Sequence, residues 1–197
     1  MTQAKSQALR TEAFAILQGG VMGLLKRKFG HVEIAGSVAL DLMVLPDIDL
    51  YTRLELTEVH KLYDLVPKLA VQLERQGFAL ARTAVHNEYA LPDPEFPATP
   101  RLYGGFTFVG GKAQRRWKLD FWGWSSQYEE RQKAHHDLAK RLKTADCELI
   151  LHLKNAPGYG KTFFSMDVYT FVLAEAGNSL DDLERFMQKR SSRAPGA

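Results

Sequence analysis

Asp47 and Asp49 stand two residues apart in "PDIDLY", and Asp120 stands inside the aromatic run "KLDFW". Carboxylates in otherwise apolar segments are costly to bury unless something neutralises them. If each segment is a strand, side chains alternate between faces, so Asp47 and Asp49 share one face while Ile48 and Leu50 take the other. Their Cα atoms would lie roughly 6.5 Å apart, close enough for both carboxylates to converge on one hard cation. The same alternation in "RRWKLDFWGW" groups Lys118, Asp120 and Trp122 on one face and Trp117, Leu119 and Phe121 on the other. If the two strands are neighbours, roughly 4.8 Å apart, Asp120 joins the pair. Three carboxylates that close repel one another and take up protons unless a cation sits among them. Mg²⁺ is the expected ion, because it prefers oxygen ligands and binds through carboxylates together with substrate phosphates.

Gly36 and Ser37 precede the aspartate pair, after a short strand and at the start of what reads as a helix. Backbone N–H groups at such a start suit a phosphate, and a glycine lets it approach closely. A phosphate cradle facing a carboxylate cluster is equipment for phosphoryl or nucleotidyl transfer. Trp122, on the face of Asp120, could stack a base or an acceptor.

With "AGS" at 35–37, "PDIDLY" at 46–51 and "KLDFW" at 118–122, residues 31–124 resemble the nucleotidyltransferase superfamily that shares its palm with DNA polymerase beta. The resemblance implies an α+β fold: a mixed β-sheet palm with flanking helices, followed here by a mainly helical C-terminal part. It implies that Asp47, Asp49 and Asp120 are catalytic and hold two Mg²⁺ ions, and that Asp120 also activates the acceptor. Gly36 and Ser37 would bind the triphosphate of ATP or another nucleoside triphosphate, with Lys118 and Lys161 as further candidates for the phosphates. The lead-in "VALDLMVLP" is apolar, where the family often has polar residues. The expected reaction moves a nucleoside monophosphate to a hydroxyl of a small molecule or protein. Two other readings stay open: a non-catalytic nucleotide- or partner-binding module, and a nucleic-acid-modifying transferase.

The elements that must position these residues read as follows. "EAFAILQGGVMGLLKRKF" has helical spacing weakened by Gly19 and Gly20, and "HVEIAG" is a short strand. Thr57 is expected to cap a helix running to Gly77, with Pro67 kinking it or starting a second helix. "FALARTAVHNEYAL" is a further strand, "PDPEFPATP" a loop, and the two β-rich runs around "GGKAQ" a hairpin. The character turns polar and helical at Ser125, so the expected division is 1–124 for the transferase-like core and 125–197 for the helical region.

Composition bounds the rest. The 197 residues are 45% hydrophobic and 25% charged, which suits a globular chain, and no run of eighteen apolar residues exists. The net charge of +3 is matched by Lys189, Arg190 and Arg193 near the C-terminus. The body is therefore not markedly basic, and a polynucleotide partner is not favoured. A single Cys147, with no apolar secretion signal in view, suggests a cytoplasmic protein without a membrane partner. "NAPGYGKT" lacks the first glycine of a phosphate-binding P-loop, since Asn155 stands there. His135 and His136 are adjacent in a helical run and so make a poor metal pair.

Overall fold

A computed structural model describes residues 3–91 and 100–191. Gln3–Ile16 (α1) and Met22–Phe29 (α2) are joined by a π-helical turn, Leu17–Val21. Gly20 there takes φ 117°, a conformation open to glycine and strained for other residues. Val32–Ala35 (β1) leads into a short helix, Gly36–Leu40 (α3), and then Asp47–Arg53 (β2). A 3₁₀ turn, Leu56–Glu58, precedes His60–Glu74 (α4). Next come Phe78–Asn87 (β3), Leu102–Gly110 (β4) and Arg115–Trp124 (β5). Four helices follow: Tyr128–Leu142 (α5), Cys147–Leu153 (α6), Ser165–Leu173 (α7) and Leu180–Ser191 (α8).

The strands form one mixed sheet in the order β1-β2-β5-β4-β3. β2 and β5 run parallel, and the other neighbours are antiparallel. This is an α+β fold with flanking helices and a helical C-terminal part, as the residue patterns imply. The proline-rich loop expected over 92–100 falls almost wholly outside the described residues, as does Arg193 of the basic tail. Among the described residues no helix is long and apolar enough to cross a membrane.

One face of the sheet is the main core. Ile48 and Leu50 of β2, Phe106 and Phe108 of β4, and Trp117, Leu119 and Phe121 of β5 pack there with α1, α2 and α4. Leu62, Leu65, Leu69 and Leu73 recur at three- and four-residue spacing along α4, the stripe that a buried helix face requires. A second cluster joins α6, α7 and α8 and includes Leu42 and Val44. Met43, between them, belongs to the first cluster. The apolar lead-in to the aspartates thus straddles two cores, with Leu42 and Val44 in one and Met43 in the other. Ser6 of α1 clamps the same segment: its hydroxyl donates to the Asp41 carbonyl at 3.1 Å and accepts from the Met43 N–H at 2.9 Å.

Two local expectations fail for identifiable reasons. Thr57 caps nothing, because Glu55 and Glu58 form a reciprocal capping box that encloses it in the 3₁₀ turn. Pro67 does not start a second helix, since α4 runs through it unbroken. It lies on the exposed side, and the residue whose carbonyl loses a donor, Tyr63, is also exposed, so water can satisfy that group.

Candidate active site

The polar face of the sheet carries the candidate residues. Across the parallel β2–β5 pair, Asp49 is the register partner of Asp120, and Asp47 that of Lys118. Asp47, Asp49, Lys118 and Asp120 therefore project from one patch, with Ile48 and Leu119 turned into the core beneath.

The carboxylates are not equivalent. Asp120 is buried and has both oxygens engaged: Oδ1 accepts from the Tyr103 hydroxyl at 2.6 Å and Oδ2 from the Lys118 ammonium at 2.5 Å. Burial and that contact hold the Tyr103 phenol far above its usual range, so it stays a donor. For Lys118 burial works against the charge, but the hydrogen bond to Asp120 and the neighbouring aspartates outweigh it and raise its pKa. Asp49 accepts from the Trp122 indole N–H at 3.3 Å. Asp47 Oδ1 is buried with no hydrogen-bond partner. Burial, reinforced by the charges of Asp49 and Asp120, pushes Asp47 up to about 7. Burial also pushes Asp49 up to about 6, with Asp120 adding to it and the Trp122 bond opposing.

Gly36 begins α3 with φ 58°, and a Cβ there would come within 2.1 Å of Asp49 Oδ2. The glycine is needed because the backbone abuts a carboxylate, a reason distinct from the phosphate approach expected of it. Ser37 meets a residue that sequence reasoning missed. Lys154, 1% exposed at the end of α6, donates to Ser37 Oγ at 2.7 Å, the Leu42 carbonyl at 2.6 Å and the Tyr169 hydroxyl at 3.1 Å. Three acceptors match the three protons of an ammonium. Burial lowers its pKa to about 7, while Asp49 and Asp47 support the charge. Its signal in the sequence is the helical period of "ELILHLK", which puts Lys154 on the buried side with Ile150 and Leu151. Lys161, the lysine singled out on the Gly-rich turn, is exposed and does not line the cleft described next.

A cleft of about 300 Å³ opens beside Asp49, bounded by Gly36, Ser37 and Tyr51 on one side and by His135 and Tyr169 on the other. The helical half thus forms one wall. Trp122 lines it and is itself packed by protein groups: the Tyr103 ring lies 4.5 Å from it, tilted, and the Arg101 guanidinium 4.4 Å. His135 has both ring nitrogens buried without a hydrogen-bond partner, and burial lowers its pKa, so it is neutral at pH 7. Its neighbour His136 instead pairs with Glu33 at 2.5 Å, so the two adjacent rings meet different surroundings.

The donor set suits a hard divalent cation in one part and not in another. Asp47 and Asp49 offer oxygen ligands, an orphaned buried oxygen and unrelieved mutual repulsion, all of which a cation would relieve. Asp120 is already held by protein donors. Accordingly, among the described residues no group of three or more His, Cys, Asp or Glu side chains is gathered to hold an ion as it stands.

No protein-family model matches the chain, and neither does any curated protein sequence. Among solved structures it is similar to a chain of the non-canonical poly(A) polymerase complex GLD-2–GLD-3. The identity is 12% and the TM-score 0.45, over 100% of this chain and 67% of that one. A likeness of that depth carries no inference about activity.

Proposed function

We propose that the chain is a Mg²⁺-dependent nucleotidyltransferase, with residues 1–124 as its transferase core and 125–197 as the helical part that walls the substrate cleft. The observation that carries the reading is the register of β2 and β5, which sets Asp49 beside Asp120 with Asp47 on the same face. Asp47 and Asp49 would hold the divalent ion, which supplies charge neutralisation at the phosphates of ATP or another nucleoside triphosphate. Gly36 and Ser37 border the cleft beside Asp49 and would meet those phosphates, with the Lys154 amine behind Ser37 as a group whose positive charge Asp49 and Asp47 support. Lys118 adds a second such charge. Asp120 and Tyr103 would orient the acceptor hydroxyl. Its oxygen bonds to the α-phosphorus, the bond to the pyrophosphate oxygen breaks, and the hydroxyl proton leaves to a carboxylate or water. Catalysis of this kind rests on positioning and on meeting developing charge.

The test is pyrophosphate release from ATP with Mg²⁺ over a panel of small-molecule and protein hydroxyl acceptors. Asp47→Asn and Asp49→Asn are expected to abolish it, and undiminished release in both variants would end the proposal. A second reading, a module that binds a nucleotide without transfer, is favoured by one observation: both Asp120 oxygens are already engaged. Calorimetry that registers Mg²⁺-ATP binding, paired with no release for any acceptor, would select it.

A further inference from the structure

The acidic patch contains its own cations. Lys118 is the register partner of Asp47 and sits two residues before Asp120 on the same face of β5, so its ammonium lies between two of the three carboxylates. It donates to Asp120 Oδ2 at 2.5 Å, and its charge acts on Asp47 and Asp49 as well. Tyr103 closes the other oxygen of Asp120. Asp47, by contrast, keeps a buried oxygen with no partner. The patch therefore divides into a half already neutralised by a lysine and a half left bare.

We propose that the Lys118 ammonium stands in for one of the two divalent ions expected at such a cluster, so that the chain binds a single divalent cation, through Asp47 and Asp49. The inference rests on the metal-site reading above and narrows it. Charge counting supports it. Three carboxylates facing the Lys118 ammonium, with Lys154 charged or neutral, leave one or two net negative charges, which a single divalent ion cancels or exceeds. A second ion would find no net negative charge left and would also have to displace Lys118 from Asp120 at close range, where like charges repel. The lysine side chain is 51% exposed while Asp120 is 6% exposed. Removing the ammonium therefore frees Asp120 Oδ2 while Tyr103 still holds Oδ1, and it leaves the core undisturbed.

The test is the number of Mn²⁺ ions bound per chain, read by electron paramagnetic resonance on the full chain with Mn²⁺ alone as probe. The wild type is expected to bind one ion, Lys118→Met two, and Lys118→Arg, which keeps the charge, one. Thermal melts of each variant verify that it is folded. Two ions on the wild type, or one on folded Lys118→Met, would overturn the inference while leaving the metal site standing. No ion on any of the three would instead remove the metal-site reading itself.

Discussion

The two faces of β2 and β5 are built from alternate residues of the same two segments, yet they obey opposite rules. Ile48, Leu50, Leu119 and Phe121 are fully buried and touch only carbon-rich neighbours, so that face is satisfied once it is packed. Asp47, Asp49, Lys118 and Asp120, interleaved with them, are satisfied only in part: one carboxylate has two donors, one has a long indole contact and one has a bare oxygen. The apolar face therefore stores stability, whereas the polar face spends it on holding charges close together. A pleated pair of strands can do both because one residue's step along the chain turns the side chain over.

The sharpest way to break the comparison is to damage the apolar face alone. Phe121→Ala removes a fully buried ring that lies 4.7 Å from Phe29. The expected loss is about 3–5 kcal/mol of unfolding free energy in urea, the range for emptying a large aromatic from a core. Loss of less than about 1 kcal/mol would mean that the site repacks and that this face is not the rigid platform described.

Lys154→Met acts on the tie between the polar face and the helical half. It strips the donor from the Leu42 carbonyl, Ser37 and Tyr169, and removes a positive charge that supports Asp47 and Asp49. A loss of about 1–3 kcal/mol is expected, the cost of leaving a buried polar group unmatched. A neutral outcome would show that Met packing replaces the ammonium, as happens at some buried ionic sites.

Asp49→Asn should change stability in the opposite direction. In EDTA at pH 8 it relieves like-charge repulsion and is expected to stabilise the fold by about 1 kcal/mol or more, since one pKa unit is worth about 1.4 kcal/mol. The pH dependence carries the same sign. Asp47 moves from 3.8 to about 7 on folding and Asp49 from 3.8 to about 6. Between those limits the folded state holds protons that the unfolded chain has released, so wild-type stability in EDTA falls as pH rises from about 4 to 7. Saturating Mg²⁺ should restore it above pH 7, and should do so far less in Asp49→Asn. A wild-type profile that rises over this interval would place the carboxylates in some other environment.

How much of this is legible in the residues alone depends on the range of the interaction. The shared face of Asp47 and Asp49 follows from alternation, and Phe121 opposing Asp120 follows likewise. That β2 lies beside β5 is a pairing between segments some seventy residues apart, and no local pattern encodes it. Local rivals mislead in the same way: Thr57 is a good cap by type, but it lies inside a 3₁₀ turn that Glu55 and Glu58 close, so the helical run begins before it. Lys161 attracts notice because two glycines lead into it, whereas Lys154, seven residues earlier, reaches Ser37 only because α6 packs against the segment before β2. Lysine at the end of an apolar helix is readable as buried; what it is buried against is not.

The smallest expected effect probes the one hydrogen bond that Asp49 owns. Trp122→Phe keeps the ring, and with it the packing against Tyr103 and Arg101, but deletes the indole N–H that meets Asp49 at 3.3 Å. A contact that long contributes at most about 0.5 kcal/mol, so the melting temperature should hardly move. The bond does stabilise the carboxylate form, however, and together with the charges of Lys118 and Lys154 it opposes the rise of the Asp49 pKa. Its loss should raise that pKa further and weaken Mn²⁺ binding at pH 6.5 by roughly twofold, with the difference vanishing at pH 8.5, where the carboxylate is ionised in either protein. A loss of affinity equal at both pH values would instead mean that the indole positions Asp49 geometrically and does not tune its charge. That outcome would move Trp122 from the electrostatics of the polar face to its packing.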